Sequence, residues 1–506
     1  MEIPIVLQPI LTLLAAAILV PVISFIGKAL KSEKIREIFA VSGFIVAFYK
    51  VFILYEAVMS TPGHVIKYDL SGYGPPFGVV FTVDLLSVFM AFLFCGLGTM
   101  AAIFSVRYME EDSGLDKYYA LLCTMVAGMV GVVFAGDFFN FFVFWETMCI
   151  SSYVLVAFRT GRWEPIEAGF KYLVMSTFGT LLVLYAMSLL YGLTGTLNFA
   201  YMAQAISSTS AASPVLYFIL GLMIVGFGVS ASIAPFHTWL PDAHPAAPSP
   251  ISALLSGVVI KAGVYALCRI SFLIFPLIHF HWGILIGIIS VLTMTVGNIL
   301  ALWQNDVKRL LAYSSIAQIG YILVGVAAGT QLGLTGTIFH IFNHALMKGA
   351  AFLCAGAFIY RAETRMLHEL SGIGRRMPIS TITLSIALFG LIGMPPLNGF
   401  ISKLILFTSA FLSPGMVWLA VAGVVNSAIS AAYYLRFIVV LIRHEPAGKI
   451  AMFKEAPITM LAPICVMAAF IILFGIWPQP ILDFAQEAAA SLLRPEAYIS
   501  AVRGGL

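Results

Sequence analysis

Four ionisable side chains stand near the middle of long apolar runs: Glu146 in NFFVFWETMCI, Lys261 in ALLSGVVIKAGVYAL, Lys348 in FHIFNHALMKGAAF and Lys403 in NGFISKLILF. One such charge at the centre of a bilayer costs roughly 2.5–3.5 kcal/mol on insertion scales. Leucine would pack better at each place, so the residue types point to a proton or ion path in which water and side chains share the charge. His340, His344 and Lys348 recur at intervals of four, which sets all three on one face of a helix. A column of titratable groups along one stripe is what a proton wire needs. The aromatic neighbours of Glu146 leave its carboxylate in need of a cation. A buried lysine exchanges protons readily, which suits Lys261 to a relay. The competing structural reading for all of these is a hydrogen-bonded polar seam between helices.

Other polar residues are less committed. Asp84, in FTVDLLSVF, lies nearer a helix end, where capping or loop anchoring competes with transport. Lys50 and Arg436 are within reach of helix ends and are expected to snorkel. His237, Asp242 and His244, in PFHTWLPDAHPAAPSP, have the types of metal ligands. Five prolines between Pro235 and Pro250 make this a stiff connection, expected on the cytoplasmic side, with a structural or pathway role. The six cysteines all fall in apolar segments and form no CxxC, so they read as reduced packing residues. Haem would need a well-spaced His pair on a second helix, and no glycine loop for a nucleotide is present. No cofactor, resident metal or catalytic redox centre is therefore expected on this chain.

The elements that must position these groups follow from composition. The chain has 506 residues, 61% hydrophobic and 10% charged, against about 25% charged in soluble domains. This is the composition of an integral membrane protein. The net charge of +4 comes with no basic run, which leaves no case for nucleic acid. The N-terminus lacks a basic n-region and a small-residue cleavage site, so the first apolar segment reads as a retained helix. Stretches of about 20 apolar residues occur at 3–27, 37–59, 78–106, 117–135, 138–158, 169–193, 214–236, 250–272, 282–303, 309–328, 333–360, 379–411, 415–442 and 457–484. None alternates with the strand period, so all are expected to be helices. Of the 27 Lys and Arg, 18 fall in alternate connections, beginning with the one at 28–36, and only three (Lys67, Arg494, Arg503) on the other side. That bias places both termini outside and makes the number of spans even.

Two segments are interrupted. The seventh carries Gly226, Gly228 and Pro235; the twelfth carries Gly393, Pro395, Pro396 and Gly399. Broken backbone at membrane depth survives only against protein or a water-filled cavity. Breaks five segments apart suggest two five-helix repeats, the second inverted because five is odd. The expected division is 1–116 for three N-terminal helices, 117–272 and 273–442 for the repeats, and 443–506 for a last helix and tail. The expected fold class is all-α, polytopic, with about fourteen transmembrane helices.

FFVFWE, PFHTWLPDAHPAAPSPISALLSGVVIKAGVYAL, DVKRLLAYSSIAQIGY, HIFNHALMKGAAF and PPLNGFISK together resemble the antiporter-like subunit family of respiratory complex I, Mrp Na+/H+ antiporters and membrane-bound hydrogenase-type complexes. The resemblance covers segments 3 to 13. It implies inverted repeats and a buried polar axis on which Glu146, Lys261, His340, His344, Lys348 and Lys403 match the family's charged positions. It implies homologous membrane subunits and a peripheral redox arm as partners. One position departs: the family usually has a lysine in the seventh helix where this chain has Ser230, which removes the cation partner expected for Glu146 and puts the first half-channel in doubt. A short C-terminal tail is similar to the smaller complex I subunits and the hydrogenase and Mrp versions.

The sequence thus describes a multi-pass plasma-membrane subunit that moves H+, Na+ or both along a buried Glu/Lys/His axis, with Ser230, His237 and Asp84 as further pathway positions. Two alternatives stay open: a largely structural scaffold with an impaired first half-channel, and a self-sufficient secondary antiporter.

Overall fold

The computed structural model describes residues 3–504 apart from 31, 33, 71, 75–77, 208–213, 277–279, 444 and 447; Lys31, one of the cations in the charge bias, lies outside the described residues. The chain opens with helices α1 (Gln8–Ala29), α2 (Ile35–Ser60), α3 (Leu85–Tyr108), α4 (Leu115–Phe134), α5 (Phe138–Val156) and α6 (Trp163–Thr194). A short α7 (Phe199–Ser207) precedes α8 (Pro214–Ser230) and α9 (Leu240–Ala246). Next come α10 (Ser249–Leu273), α11 (Gly283–Leu302), α12 (Val307–Ala328) and α13 (Gln331–Ala362). The rest is α14 (Pro378–Ile392), α15 (Asn398–Leu412), α16 (Val417–Arg443), α17 (Ile458–Ile476), α18 (Gln479–Leu493) and α19 (Glu496–Arg503).

Twelve of these are long and apolar enough to cross a membrane among the described residues. The seventh and twelfth apolar segments make up the rest as broken helices. Helix α8 stops at Ser230, and residues 231–239 run without helix to α9. There the Trp239 indole donates to Val229 O at 2.8 Å and Thr293 Oγ1 accepts from Ala234 N at 3.2 Å, replacing part of the lost ladder. Helices α14 and α15 flank the second break, where Gly393 sits at φ +92°, a conformation that favours glycine. At this break a side chain on Gly399 would meet Gly390 O at 1.9 Å, so only glycine lets the two strands of the break approach.

The connections predicted to be cation-rich do meet at one end of the bundle. Arg159 pairs with Asp112, Arg309 with Asp242, and Arg365 with both Glu164 and Asp306. Each pair ties one alternate connection to another, or to a neighbouring helix end. Two of the connecting turns are built alike. Before α5, Phe138 N donates to Leu197 O and Phe199 N to Gly136 O, with Asp137 capping the helix. Before α12, Val307 N donates to Arg365 O and Leu367 N to Asn305 O, with Asp306 capping. The same bridge thus recurs at the start of the fifth and tenth spans.

Three details differ from the sequence expectation. Residues 80–83 of the third apolar stretch form a strand: β1 (Ile66–Asp69) pairs antiparallel with β2 (Val80–Val83), and α3 begins only after Asp84. Asp84 accepts from Ser87 N as the cap and pairs with Arg269 at 2.7 Å, both side chains buried. Arg269 also lies over the rings of Tyr265 and Tyr498, which pins α19 to the end of α10. The fourteenth stretch stops at Ile476, because Trp477–Pro478 turns the chain into α18. The proline-rich connection before α10 is mostly buried from Trp239 to Pro250 instead of lying as a surface link. Its apolar and proline side chains fill the space between helices.

Burial locates the core. Within their apolar windows α10, α12 and α13 are 100%, 94% and 89% buried by the chain itself, while α1, α2 and α6 are 39%, 28% and 39% buried. Glycines let these helices close. A side chain on Gly128 would meet Met148 N at 2.6 Å, and one on Gly320 would meet Met294 N at 2.6 Å. Membrane helices associate through such small residues because lipid supplies no hydrophobic drive between them. Gly320→Val is expected to destabilise by about 1–3 kcal/mol or more through overpacking. Gly192→Ala, inside α6 with nothing within 4 Å, costs no stability and is expected to add up to about 1 kcal/mol. Thermal unfolding of the solubilised protein checks the pair.

Candidate functional site: a buried basic column

The column starts where the twelfth segment breaks. A helix leaves its last carbonyls without partners and carries a partial negative charge at its C-terminus. Lys403, on α15, turns its ammonium onto the end of α14 and donates to Leu391 O at 2.8 Å, Ile392 O at 3.1 Å and Ser427 Oγ at 3.1 Å. It also lies 4.4 Å from the centre of the Tyr321 ring. The Gln318 amide donates to the same Leu391 O at 3.1 Å, which turns its oxygen to His340 Nε2 at 2.9 Å. The other ring nitrogen, Nδ1, meets Ser402 Oγ at 2.8 Å. Ser402 also has Gly399 O within 3.2 Å. The hydroxyl can therefore donate to a neutral His340 or swing to the carbonyl and accept from a charged one.

One turn on, His344 stacks parallel to His340, with centroids 6.2 Å apart and planes 7° from parallel. It is fully buried, and neither of its ring nitrogens has a partner. Lys348 follows on the same face of α13. It donates to Leu311 O at 2.9 Å and to Ser314 Oγ, and faces the Tyr434 ring at 5.9 Å. Lys261 comes from the facing helix. A π-turn at Leu255–Val259 disturbs the ladder of α10 just before it, and its ammonium donates to Ser256 O. Ser256 Oγ in turn meets Ser315 Oγ of α12 at 2.6 Å.

Two members escaped the sequence reading as part of this column. His244, placed there in a stiff connection with a structural or pathway role, is fully buried, stacks on Phe352 at 4.5 Å and leaves both nitrogens unpartnered. Lys308, counted there as a connection cation, is 2% exposed and donates to Ala247 O at 2.5 Å. Lys308 shares a helical stripe with Leu311 and Ser315, which are contact points of the column, but only the tertiary structure reveals this. The charges reach one another in series. His340 feels Lys403 and Lys261; His344 feels Lys261, Lys348, His340 and Lys403; His244 feels Lys308, Lys348 and Lys261. Among the described residues, none of Lys261, Lys308, Lys348 and Lys403 is ion-paired with a carboxylate. Their positive charge is held by backbone carbonyls, hydroxyls and rings.

The remaining predicted residues stand apart from this. Glu146 is half-buried on α5, close to Thr180 of α6, with Oε1 unpartnered. Its neighbour Trp145 packs edge-on against Phe227 of α8 at 5.4 Å. Ser230, at the end of α8, is 4% exposed and its hydroxyl has no partner. His237, in the first break, is half-buried with Nδ1 unpartnered. Asp242 is held by Lys171 at 3.2 Å and Arg309 at 2.8 Å, at the cation-rich end. Asp84 is engaged by Arg269 and Ser87.

Residues 135–430 match the family model described as NADH:quinone oxidoreductase/Mrp antiporter, TM, and residues 74–119 match complex I, chain 5 N-terminus. The chain is 37% identical over 409 residues to NADH-quinone oxidoreductase subunit N of Trichlorobacter lovleyi, covering 80% of this chain and 84% of that one. It is 32% identical over 426 residues to F(420)H(2) dehydrogenase subunit N of Methanosarcina mazei, covering 82% and 86%. Its fold superposes with a TM-score of 0.90 on a chain of the membrane-bound sulfane sulfur reductase, an archaeal respiratory membrane complex, at 31% identity over 98% of this chain and 99% of that one. Through the family model, which spans more than half of its length, and these relatives, the chain belongs to the NADH:quinone oxidoreductase/Mrp antiporter membrane-subunit family.

Proposed function

We propose that this chain is a proton-translocating subunit of a multisubunit membrane complex, and that its protons move along Lys308, His244, Lys348, Lys261, His344, His340 and Lys403. The observation that carries this reading is the unbroken series of buried basic groups, each within electrostatic reach of the next and none paired with a carboxylate. A structural seam would be expected to neutralise such charges, since an uncompensated buried ion is costly. Protons suit the column because its members are amines and imidazoles, which take up protons, whereas Na+ is bound through oxygen ligands. Like charges oppose one another, so protonation at one site changes the proton affinity of its neighbour and can pass a change of state along the column.

The relatives support partners of the same kind: further membrane subunits, including homologous antiporter-like ones, and a peripheral redox arm that supplies the driving reaction. The duplicated bridge before α5 and α12 supports two inverted five-helix repeats over 117–272 and 273–442. The cation-rich end faces the cytoplasm and both termini face outward, by the Lys/Arg bias. The self-sufficient antiporter finds no specific support, because the relatives are named as subunits.

A second reading applies to the first repeat alone. Ser230 supplies no cation, and Glu146 has no basic partner within the described chain. In that half the helices up to α8 act as scaffold, and the working route is the column, to which this repeat contributes His244 and Lys261.

The test is ion uptake by inverted vesicles bearing the whole complex at equal assembly. Lys261→Ala is expected to lower uptake about tenfold or more while electron transfer continues, since tenfold is about 1.4 kcal/mol on the limiting step. Unchanged uptake would make the subunit a scaffold throughout. Glu146→Gln is expected to stay within about twofold of wild type, less than 0.5 kcal/mol on the same scale. A loss equal to that of Lys261→Ala would instead put Glu146 and its half-channel back on the path.

A further inference from the structure

The cation-rich end holds a cleft of about 1240 Å³, wide enough for many waters, between the turns that follow α3, α5 and α13 and the segment before α17. Its walls carry both signs of charge, including Asp112, Arg159, Arg162 and Glu363. Tyr108, the last residue of α3, lines the cleft but is only 7% exposed. Its hydroxyl lies 3.0 Å from Ser249 Oγ, at the fully buried first residue of α10.

Beyond Ser249 the column begins. Ala247, two residues earlier, accepts from Lys308 Nζ, and Ser252, three residues later, donates to His244 O at 2.9 Å. The hydroxyl pair thus stands between the cleft and the segment on which the first titratable groups are anchored. The pair is fixed from both sides. A side chain on Gly356 of α13 would approach Ser249 Oγ to 3.0 Å, so glycine there keeps Ser249 in place. Arg159, held bidentate by Asp112 at 2.9 and 2.8 Å, lies over the Tyr108 ring at 5.7 Å and within electrostatic reach of Lys308.

We infer that this cleft is the mouth by which protons reach the column, with the Tyr108 and Ser249 hydroxyls as its conducting floor and Lys308 and His244 as the first acceptors. The inference rests on the reading that the column carries protons. A hydronium in the cleft gives a proton to the Tyr108 oxygen as the tyrosine's own proton passes to Ser249. Ser249 releases its proton inward through water to Lys308 in its neutral form or to a bare nitrogen of His244. The acceptor gains the one positive charge that the hydronium lost. Both hydroxyls end neutral, and rotation resets them.

Tyr108→Phe keeps the ring under Arg159 and removes only the oxygen; Ser249→Ala breaks the same link from the other side. Each is compared with Lys261→Ala in inverted vesicles of the assembled complex. Each is expected to lower proton uptake per electron about tenfold, with a rise in the solvent deuterium isotope effect on uptake, because delivery becomes the limiting step. A packing defect would not raise the isotope effect. If Lys261→Ala loses uptake while both floor variants pump as wild type, the mouth lies elsewhere and the column reading stands. If Lys261→Ala pumps normally, the column reading falls and this inference with it. Should Tyr108→Phe fail to assemble, Ser249→Ala decides alone.

Discussion

Backbone polar groups at membrane depth need a partner inside the protein, because lipid has none to give. The structure depends on how this requirement is met at two irregular places. Where α14 ends early, its carbonyls are left bare, and Lys403 fills them with an ammonium that itself could not stay dry. Where α10 opens into a π-turn, Lys261 takes the carbonyl of Ser256. Each defect would be costly alone, and so would each charge. Together they satisfy one another. The close helix contacts at glycines such as Gly320 and Gly399 hold the two in register.

The two halves of the chain use the same architecture unequally. Both contain a capped, bridged turn and a broken helix. In the second half the break is occupied by an ammonium. In the first, α8 ends in Ser230, and the irregular stretch is stitched by the indole of Trp239 and by Thr293. Polar groups without partners gather there, in Glu146 Oε1, Ser230 Oγ, Ser232 Oγ and His237 Nδ1.

Much of this was legible from residue type and spacing. Apolar length located the spans, the Gly and Pro clusters located both breaks, and a lone lysine in an apolar run stands out against its surroundings. The four-residue interval of His340, His344 and Lys348 was readable as a helix face, and they do share the inner face of α13. What stayed hidden needed tertiary knowledge. Lys308 sits beside Arg309 and looks like any connection cation; only the packing of α12 against the buried 240–250 segment takes it out of water. Asp84 and Arg269 are 185 residues apart, and no local pattern joins them. The strand at Val80–Val83 is as apolar as the helix that follows, so hydropathy ran the two together and only the cap at Asp84 separates them.

Among the described residues none of the column's lysines is ion-paired with an acid, and this has a consequence for the transport proposed above. A row of sites with one sign of charge resists being filled, because each occupied site raises the cost of occupying the next. Such a row is at rest when partly empty. Its mobile unit is then the gap in the row, much as the free space in a sliding-tile puzzle moves opposite to the tiles. A bare ring such as His344, with no partner to hold a proton in place, is where a gap comes to rest most easily.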